Sequence, residues 1–141
     1  LLPTRDLSGT TCVVFDVLRA TSSMVTALAH GVTEIHPVCT IDEAQALKSR
    51  LPNVVLGGER QGDLIPGFDI GNSPSEYTNL RGRRIVTTTT NGTVALRACE
   101  LADRVGAGAQ QFPQVLRPRD TTGQAAPHRD DGDGVRVRGG A

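Results

Sequence analysis

Short apolar runs and helix-like stretches alternate along residues 12–105, and this alternation restricts the possible folds more than any other feature of the chain. Strands that alternate with helices typically form a parallel sheet with the helices packed on its faces. We therefore predict an α/β fold built on a mostly parallel sheet. The predicted strands are 12–15, 34–38, 54–56 and 84–88, and the predicted helices are 20–30, 42–50, one that begins at Ser73, and 93–102.

Local signals mark several helix ends. Gly31 stands where a glycine commonly ends a helix, and Gly82 ends the helix that begins at Ser73. Thr40 and Glu43 have the spacing of a capping box, in which each side chain accepts a hydrogen bond from a free N–H group of the first turn. These signals support the helical assignments independently of the apolar pattern.

The alternation stops near Val105. Residues 106–141 are rich in Gly, Pro, Arg and Asp and have no sustained period, which is typical of disordered chain. The total of 141 residues matches one domain. We therefore expect an α/β domain over 1–105 and a low-complexity, disordered tail over 106–141.

Charge and cysteine content restrict the classes of function. The chain has 15 Lys and Arg residues and 15 Asp and Glu residues, so its formal net charge is zero. This balance argues against a nucleic-acid-binding or membrane-surface protein, since both need a positive field. No apolar run approaches the roughly 20 residues of a membrane span. Three widely spaced cysteines indicate reduced thiols and a cytoplasmic protein.

Three polar loops follow the predicted strands, and the carboxyl ends of parallel strands share one edge of a sheet, where ligands bind. The loops are FDVLRATSS (15–23), GGERQGDLIPGFDIGNSP (57–74) and TTTTNGT (87–93). They supply oxygen ligands for a hard cation, guanidinium groups for phosphate or another oxyanion, and neutral donors at a helix start. The carboxylates are Asp16, Glu59 and Asp69, the guanidinium groups are Arg19 and Arg60, and the neutral donors lie within Thr88–Thr93.

Each loop also has a simpler interpretation. Asp16 could cap a helix, Glu59 and Arg60 could be a solvated pair, and Asn91 with Gly92 is a common turn. The threonines could simply belong to a strand. Familiar phosphatase and nucleotide-binding signatures do not fit, since Cys12 is one residue too far from Arg19 for a thiolate phosphatase, and neither GxxxxGKS/T nor GxGxxG occurs.

Taken together, three segments closely resemble the 2-phosphosulfolactate phosphatases. They are VVFDVLRATSSMVTAL (13–28), GGERQGDLIPGFDIGNSP (57–74) and VTTTTNGTVAL (86–96). The resemblance implies a Mg²⁺-dependent hydrolase that converts 2-phospho-3-sulfolactate to 3-sulfolactate and phosphate, a step of coenzyme M biosynthesis. It also implies an α/β protein of two intertwined halves that forms a homodimer. Only the first half is present here, so we expect an incomplete fold and a frameshifted tail.

The resemblance and the loop chemistry together assign roles to individual residues. We expect Asp16, Arg19 and Arg60 to be catalytic, and Asp16 and Glu59 to bind the metal. The partner would be a small anionic phosphorylated substrate. Two alternatives stay open, a non-catalytic module that binds an anionic metabolite and an inactive fragment of the enzyme. The expected substrate-binding residues are Thr21, Asn72, Ser73, Thr89, Thr90, Asn91, Gly92 and Thr93.

Overall fold

The computed structural model describes residues 6–109 and 112–116, with side chains through residue 108. Within these residues it contains seven strands, three α-helices and one short 3-10 helix. The strands are β1 (Thr11–Phe15), β2 (Glu34–Pro37), β3 (Val54–Arg60), β4 (Asp63–Leu64), β5 (Arg84–Thr88), β6 (Arg104–Ala109) and β7 (Phe112–Leu116). The α-helices are α1 (Ala20–Ala29), α2 (Ile41–Arg50) and α3 (Gly92–Ala98), and the 3-10 helix is Pro74–Tyr77.

The strands form two sheets. One has the order β2-β5-β3-β4, in which β5 runs parallel to both β2 and β3, and β4 returns antiparallel to β3. The other has the order β1-β6-β7, with β1 parallel to β6 and β6 antiparallel to β7. The predicted α/β class with a mostly parallel sheet is confirmed. However, β1 does not join the other predicted strands and lies in the second sheet with β6 and β7.

Two hydrophobic clusters hold these elements together. The larger cluster joins α1 and α3 to β1 and β6 and includes Met24, Leu96 and Val105, all nearly inaccessible to solvent. The smaller cluster packs α2 against β3 and β5 through residues such as Leu47 and Val86. Burial of this apolar area is the main source of stability. The loops at the strand ends lie outside the two clusters, at the surface.

The helix-end signals at Gly31 and Thr40 are present in the structure, with one difference in a hydrogen-bond donor. Gly31 follows α1 with a φ of 87°, the left-handed conformation that glycine adopts most readily. The Thr40 hydroxyl accepts a hydrogen bond from the Glu43 N–H at 3.1 Å and so caps α2. The Glu43 carboxylate accepts from the Cys39 N–H at 2.9 Å, one residue before the position that a capping box specifies.

Several predicted boundaries differ from the structure. The helix predicted to begin at Ser73 is only the 3-10 helix Pro74–Tyr77, and α3 ends at Ala98, earlier than expected. The domain boundary predicted at residue 105 falls inside β6, and β7 extends regular structure to Leu116. The remaining part of the predicted tail, 117–141, lies outside the described residues. Among the helices of the described residues, none is long and apolar enough to cross a membrane.

Candidate active site

The three polar loops meet in an open cleft of about 240 Å³ at the carboxyl ends of β1, β3 and β5. This convergence follows from the parallel strands, as the sequence predicted. Nine residues line the cleft: Asp16, Leu18, Arg19, Glu59, Gln61, Gly62, Asn72, Thr90 and Asn91. Six of them, Asp16, Arg19, Glu59, Asn72, Thr90 and Asn91, were predicted as site residues from the sequence.

Asp16 and Arg19 bring opposite charges to the cleft without neutralising each other. Asp16 follows β1 directly, and its carboxylate makes no hydrogen bond or ion pair within the described residues. The Arg19 guanidinium likewise makes none with that part of the chain. A carboxylate and a guanidinium that face a cleft unpaired can bind a cation and an oxyanion, respectively.

Glu59, near the end of β3, is held in place by hydrogen bonds from Gly62 and from Thr90 in the loop after β5. Its Oε1 accepts a hydrogen bond from the Thr90 N–H at 2.7 Å, and its Oε2 accepts from the Gly62 N–H at 2.7 Å and the Thr90 hydroxyl at 3.1 Å. Partial burial by itself raises the pKa of Glu59, but these hydrogen bonds and the positive charge of Arg60 lower the pKa below its usual value of 4.5. The carboxylate is therefore charged at neutral pH.

Two charged residues predicted for the site have other contacts. The Arg60 guanidinium donates to the Cys39 carbonyl at 3.1 Å and to the Thr88 hydroxyl at 2.7 Å, and it does not line the cleft. Asp69 accepts from the Leu56 N–H at 2.8 Å and forms an ion pair with Lys48. Arg60 thus joins β3 to β5 and the loop after β2, and Asp69 lies on another side of β3.

The threonines divide into two groups. Thr87 and Thr88 belong to β5, as predicted. Thr89 and Thr93 are buried and bind each other, since each hydroxyl accepts from the other residue's N–H at 3.0–3.1 Å. Of the hydroxyls predicted to bind an anion in this segment, only that of Thr90 lines the cleft.

Three further predicted binding residues shape the loops around the cleft. The buried Thr21 hydroxyl accepts from the Asp16 N–H at 3.0 Å and donates to the Gly108 carbonyl at 2.7 Å, which ties the loop after β1 to β6. Ser73 donates its N–H to Glu76. Gly92 allows a close approach, since a Cβ atom there would lie 2.4 Å from the Ala20 Cβ and 2.7 Å from the Asp16 Oδ2.

Comparison with known proteins shows the family to which the chain belongs. A family model described as 2-phosphosulpholactate phosphatase matches residues 1–111, well over half of the chain. The chain belongs to this family. The three segments that carried the sequence resemblance to the 2-phosphosulpholactate phosphatases are the same three that meet at the cleft.

Individual relatives agree with the family assignment. Proteins named probable 2-phosphosulfolactate phosphatase from Carboxydothermus hydrogenoformans and Symbiobacterium thermophilum are 50% identical over 97 residues and 49% identical over 107 residues. A protein of the same name from Clostridium perfringens is 44% identical over 110 residues. These matches cover 69%, 73% and 74% of this chain but only 41%, 46% and 44% of the relatives. The chain thus spans less than half the length of these family members.

Three residues that line the cleft of this 2-phosphosulpholactate phosphatase family member were not predicted from the sequence. Gln61 and Gly62 form the turn between β3 and β4, inside what the sequence presented as one long loop. Leu18 is 90% exposed beside Arg19. The only available signal for Leu18 and Gln61 was their position directly next to Arg19 and Arg60, which were selected, and Gly62 had no such signal. No pattern of residue type distinguishes a side chain that lines the cleft from its neighbour.

The environment of Glu59 makes a testable prediction about acid stability. Because its pKa is lowered in the folded chain, Glu59 stabilises the fold above its unfolded value near 4.5, and this stabilisation is lost as the pH falls through the lower, folded pKa. We expect the Glu59→Gln variant to be less stable than the wild type at pH 7, with the difference shrinking below pH 4.5. Chemical denaturation at pH 7, 5, 4 and 3 measures this, with Glu100→Gln outside the cleft as the control. A constant difference across this range would contradict the prediction.

Proposed function

We propose that the chain contributes the phosphate-binding cleft of a Mg²⁺-dependent phosphatase that hydrolyses 2-phospho-3-sulfolactate, or a related phosphorylated hydroxyacid, to 3-sulfolactate and phosphate. The reaction is of the type used in coenzyme M biosynthesis. The observation that carries the proposal is the presence of two oppositely charged side chains, Asp16 and Arg19, in the cleft of a chain from this family, neither of which has a hydrogen-bond or ion-pair partner among the described residues.

The donor set of the cleft fits a hard divalent cation. Mg²⁺ is commonly held through only one or two carboxylates together with water and substrate phosphate. Among the described residues, no hydrogen bond occupies the Asp16 carboxylate oxygens, and Glu59 Oε1 accepts a single hydrogen bond, which leaves it a second lone pair. The described residues contain no cluster of three or more His, Cys, Asp or Glu that could form a closed metal site. A two-carboxylate site that shares its cation with the substrate is consistent with both facts.

The proposed mechanism gives each residue one role. Asp16 and Glu59 would hold Mg²⁺, which would supply positive charge to offset the negative charge of the phosphoryl group. The planar guanidinium of Arg19 binds two phosphoryl oxygens and orients the ester. The amides of Asn72 and Asn91, which also line the cleft, provide neutral donors to the phosphate. Thr90 keeps Glu59 charged and fixed, and Arg60 acts on Glu59 through its nearby charge and through a hydrogen bond from its guanidinium to the Glu59 carbonyl at 2.8 Å.

One observation favours a second candidate, a module that binds the anion without turning it over. The chain spans 41–46% of the length of the three relatives compared above, so residues needed for turnover could come from the part of those proteins that has no counterpart here. In that case binding of the phosphorylated ligand would persist while phosphate release would not. The two candidates therefore predict different results in the same assay.

Phosphate release and ligand binding should be measured together. The chain is mixed with 2-phospho-3-sulfolactate in MgCl₂ or in EDTA, released phosphate is quantified, and binding is followed by calorimetry. We expect release that EDTA abolishes, and we expect Arg19→Ala to weaken binding about tenfold or more, because it removes a charge-assisted contact. Arg81→Ala, an exposed arginine outside the cleft, is the matched control. Absence of both release and saturable binding would contradict the proposal.

A further inference from the structure

Gln61 has a backbone conformation that its side chain disfavours. Gln61 and Gly62 form the two-residue turn between β3 and β4, with φ values of 57° and 93°. A hairpin turn with positive φ at both positions strongly prefers Asn, Asp or Gly at the first position. Among the described residues, Asn53 is the other non-glycine residue with positive φ, and asparagine tolerates this region well. Gln61 therefore stands at a position where another residue type would be more stable.

A backbone hydrogen bond holds Gln61 beside the cleft. Its N–H donates to the Thr90 hydroxyl at 3.2 Å, and the same hydroxyl donates to Glu59. The turn is thereby tied to the loop after β5 at the position where Glu59 is held. Gln61 is exposed and lines the cleft, and its side-chain amide makes no hydrogen bond within the described residues. An unfavourable conformation maintained beside a binding cleft is a reason to infer a function for the residue.

The charges of the cleft indicate what this amide would bind. Among the described residues that line the cleft, Arg19 is the one cationic side chain, since Arg60 is directed to Cys39 and Thr88. A substrate that carries a second oxyanion besides its phosphate needs another donor. The carboxylates of Asp16 and Glu59 repel that second anion, and the proposed mechanism uses Asn72 and Asn91 for the phosphate, so another neutral donor of the cleft is needed. The free amide of Gln61 meets this requirement, because its NH₂ group donates two hydrogen bonds.

We propose that Gln61 is a specificity-determining residue that donates hydrogen bonds to the non-phosphate oxyanion of the substrate, its sulfonate. This inference rests on the proposed function, because it takes the phosphate to be bound at Arg19. It goes further by assigning the recognition of the second anionic group to the tip of the β3–β4 hairpin. A purely structural role of the side chain would give a different result, since Gln61→Gly would then lower the stability of the fold and leave ligand affinity unchanged.

Three ligands and two variants test this assignment by calorimetry in MgCl₂. The ligands are 2-phospho-3-sulfolactate, 2-phospholactate, which lacks the sulfonate, and inorganic phosphate. We expect Gln61→Gly to raise the Kd of 2-phospho-3-sulfolactate about tenfold, the loss typical of a hydrogen bond to a charged group, and to leave the other two Kd values unchanged. The midpoint of thermal unfolding should stay the same or rise, because glycine adopts positive φ freely. Gln61→Asn, which keeps the amide on a shorter side chain, should lose less affinity than Gln61→Gly.

The outcomes separate the two proposals. If the wild type binds 2-phospho-3-sulfolactate no more tightly than 2-phospholactate, or if Gln61→Gly changes all three Kd values equally, the assignment of Gln61 is wrong while phosphate binding stands. If the wild type binds none of the three ligands, the proposed function fails and the assignment of Gln61 fails with it. A lower unfolding midpoint in Gln61→Gly with unchanged Kd values would indicate a structural role and overturn the inference.

Discussion

Replacement of Asp16 by asparagine should reduce Mg²⁺-dependent phosphate release by a factor on the order of 10²–10³ or more, while the fold stays intact. The substitution preserves shape but removes the charge of the carboxylate that is unpaired in the cleft. The structural role of this residue depends on its backbone, since its N–H donates to the Thr21 hydroxyl and its carbonyl accepts from the Thr21 N–H at 3.0 Å. Both contacts survive the substitution.

The measurement is phosphate release at saturating substrate, paired with a thermal unfolding curve. Asp63→Asn serves as the control, because Asp63 is exposed in β4 and does not line the cleft. Near-normal release by Asp16→Asn with an unchanged unfolding midpoint would remove Asp16 from the mechanism.

The strand–helix order could be predicted from the sequence because it depends on local patterns. Apolar runs, the threonine cap at Thr40 and the glycine at Gly31 each act over a few residues. The pairing of β1 with β6 could not be predicted in this way, since it joins Thr11 to Arg104 across most of the described chain. The small residues of β6, among them Gly106 and Gly108, gave no strand signal, because glycine has low strand propensity.

For the candidate site, too, local patterns predicted which loops meet, but not where each side chain points. Residue types and their position after strands were sufficient to bring Asp16, Glu59 and Asn91 to one cleft. The direction of each side chain was not available, because it depends on neighbours that are distant in sequence. Arg60 turns to the loop after β2, on the far side of β5, and Thr89 is buried under the loop that was expected to expose it. A sequence pattern therefore selects a site more reliably than the individual residues within it.

Gly58 is the residue on which the geometry of the cleft depends most strongly. It lies in β3 directly before Glu59, pairs with Thr88 of β5, and has a φ of 144°. A Cβ atom at this position would lie 2.0 Å from the Thr88 carbonyl oxygen, much closer than van der Waals contact allows. The Gly58 N–H also donates to the carbonyls of Ile70 and Gly71, so the segment cannot move away from β5 without breaking these hydrogen bonds.

We therefore expect Gly58→Ala to destabilise the fold by about 3 kcal/mol or more, the sum of a strained φ and an overpacked backbone contact. Gly82→Ala is the matched control, because Gly82 has a φ of 74° with no atom within 4 Å of the added Cβ, and its cost should be only about 1–2 kcal/mol. Chemical denaturation of both variants compares the two costs directly. Any Gly58→Ala protein that still folds should bind the phosphorylated ligand poorly, because separation of β3 from β5 moves Glu59 away from Thr90. Equal stability losses in the two variants would show that β3 can shift without cost, and the rigid placement of Glu59 would then be wrong.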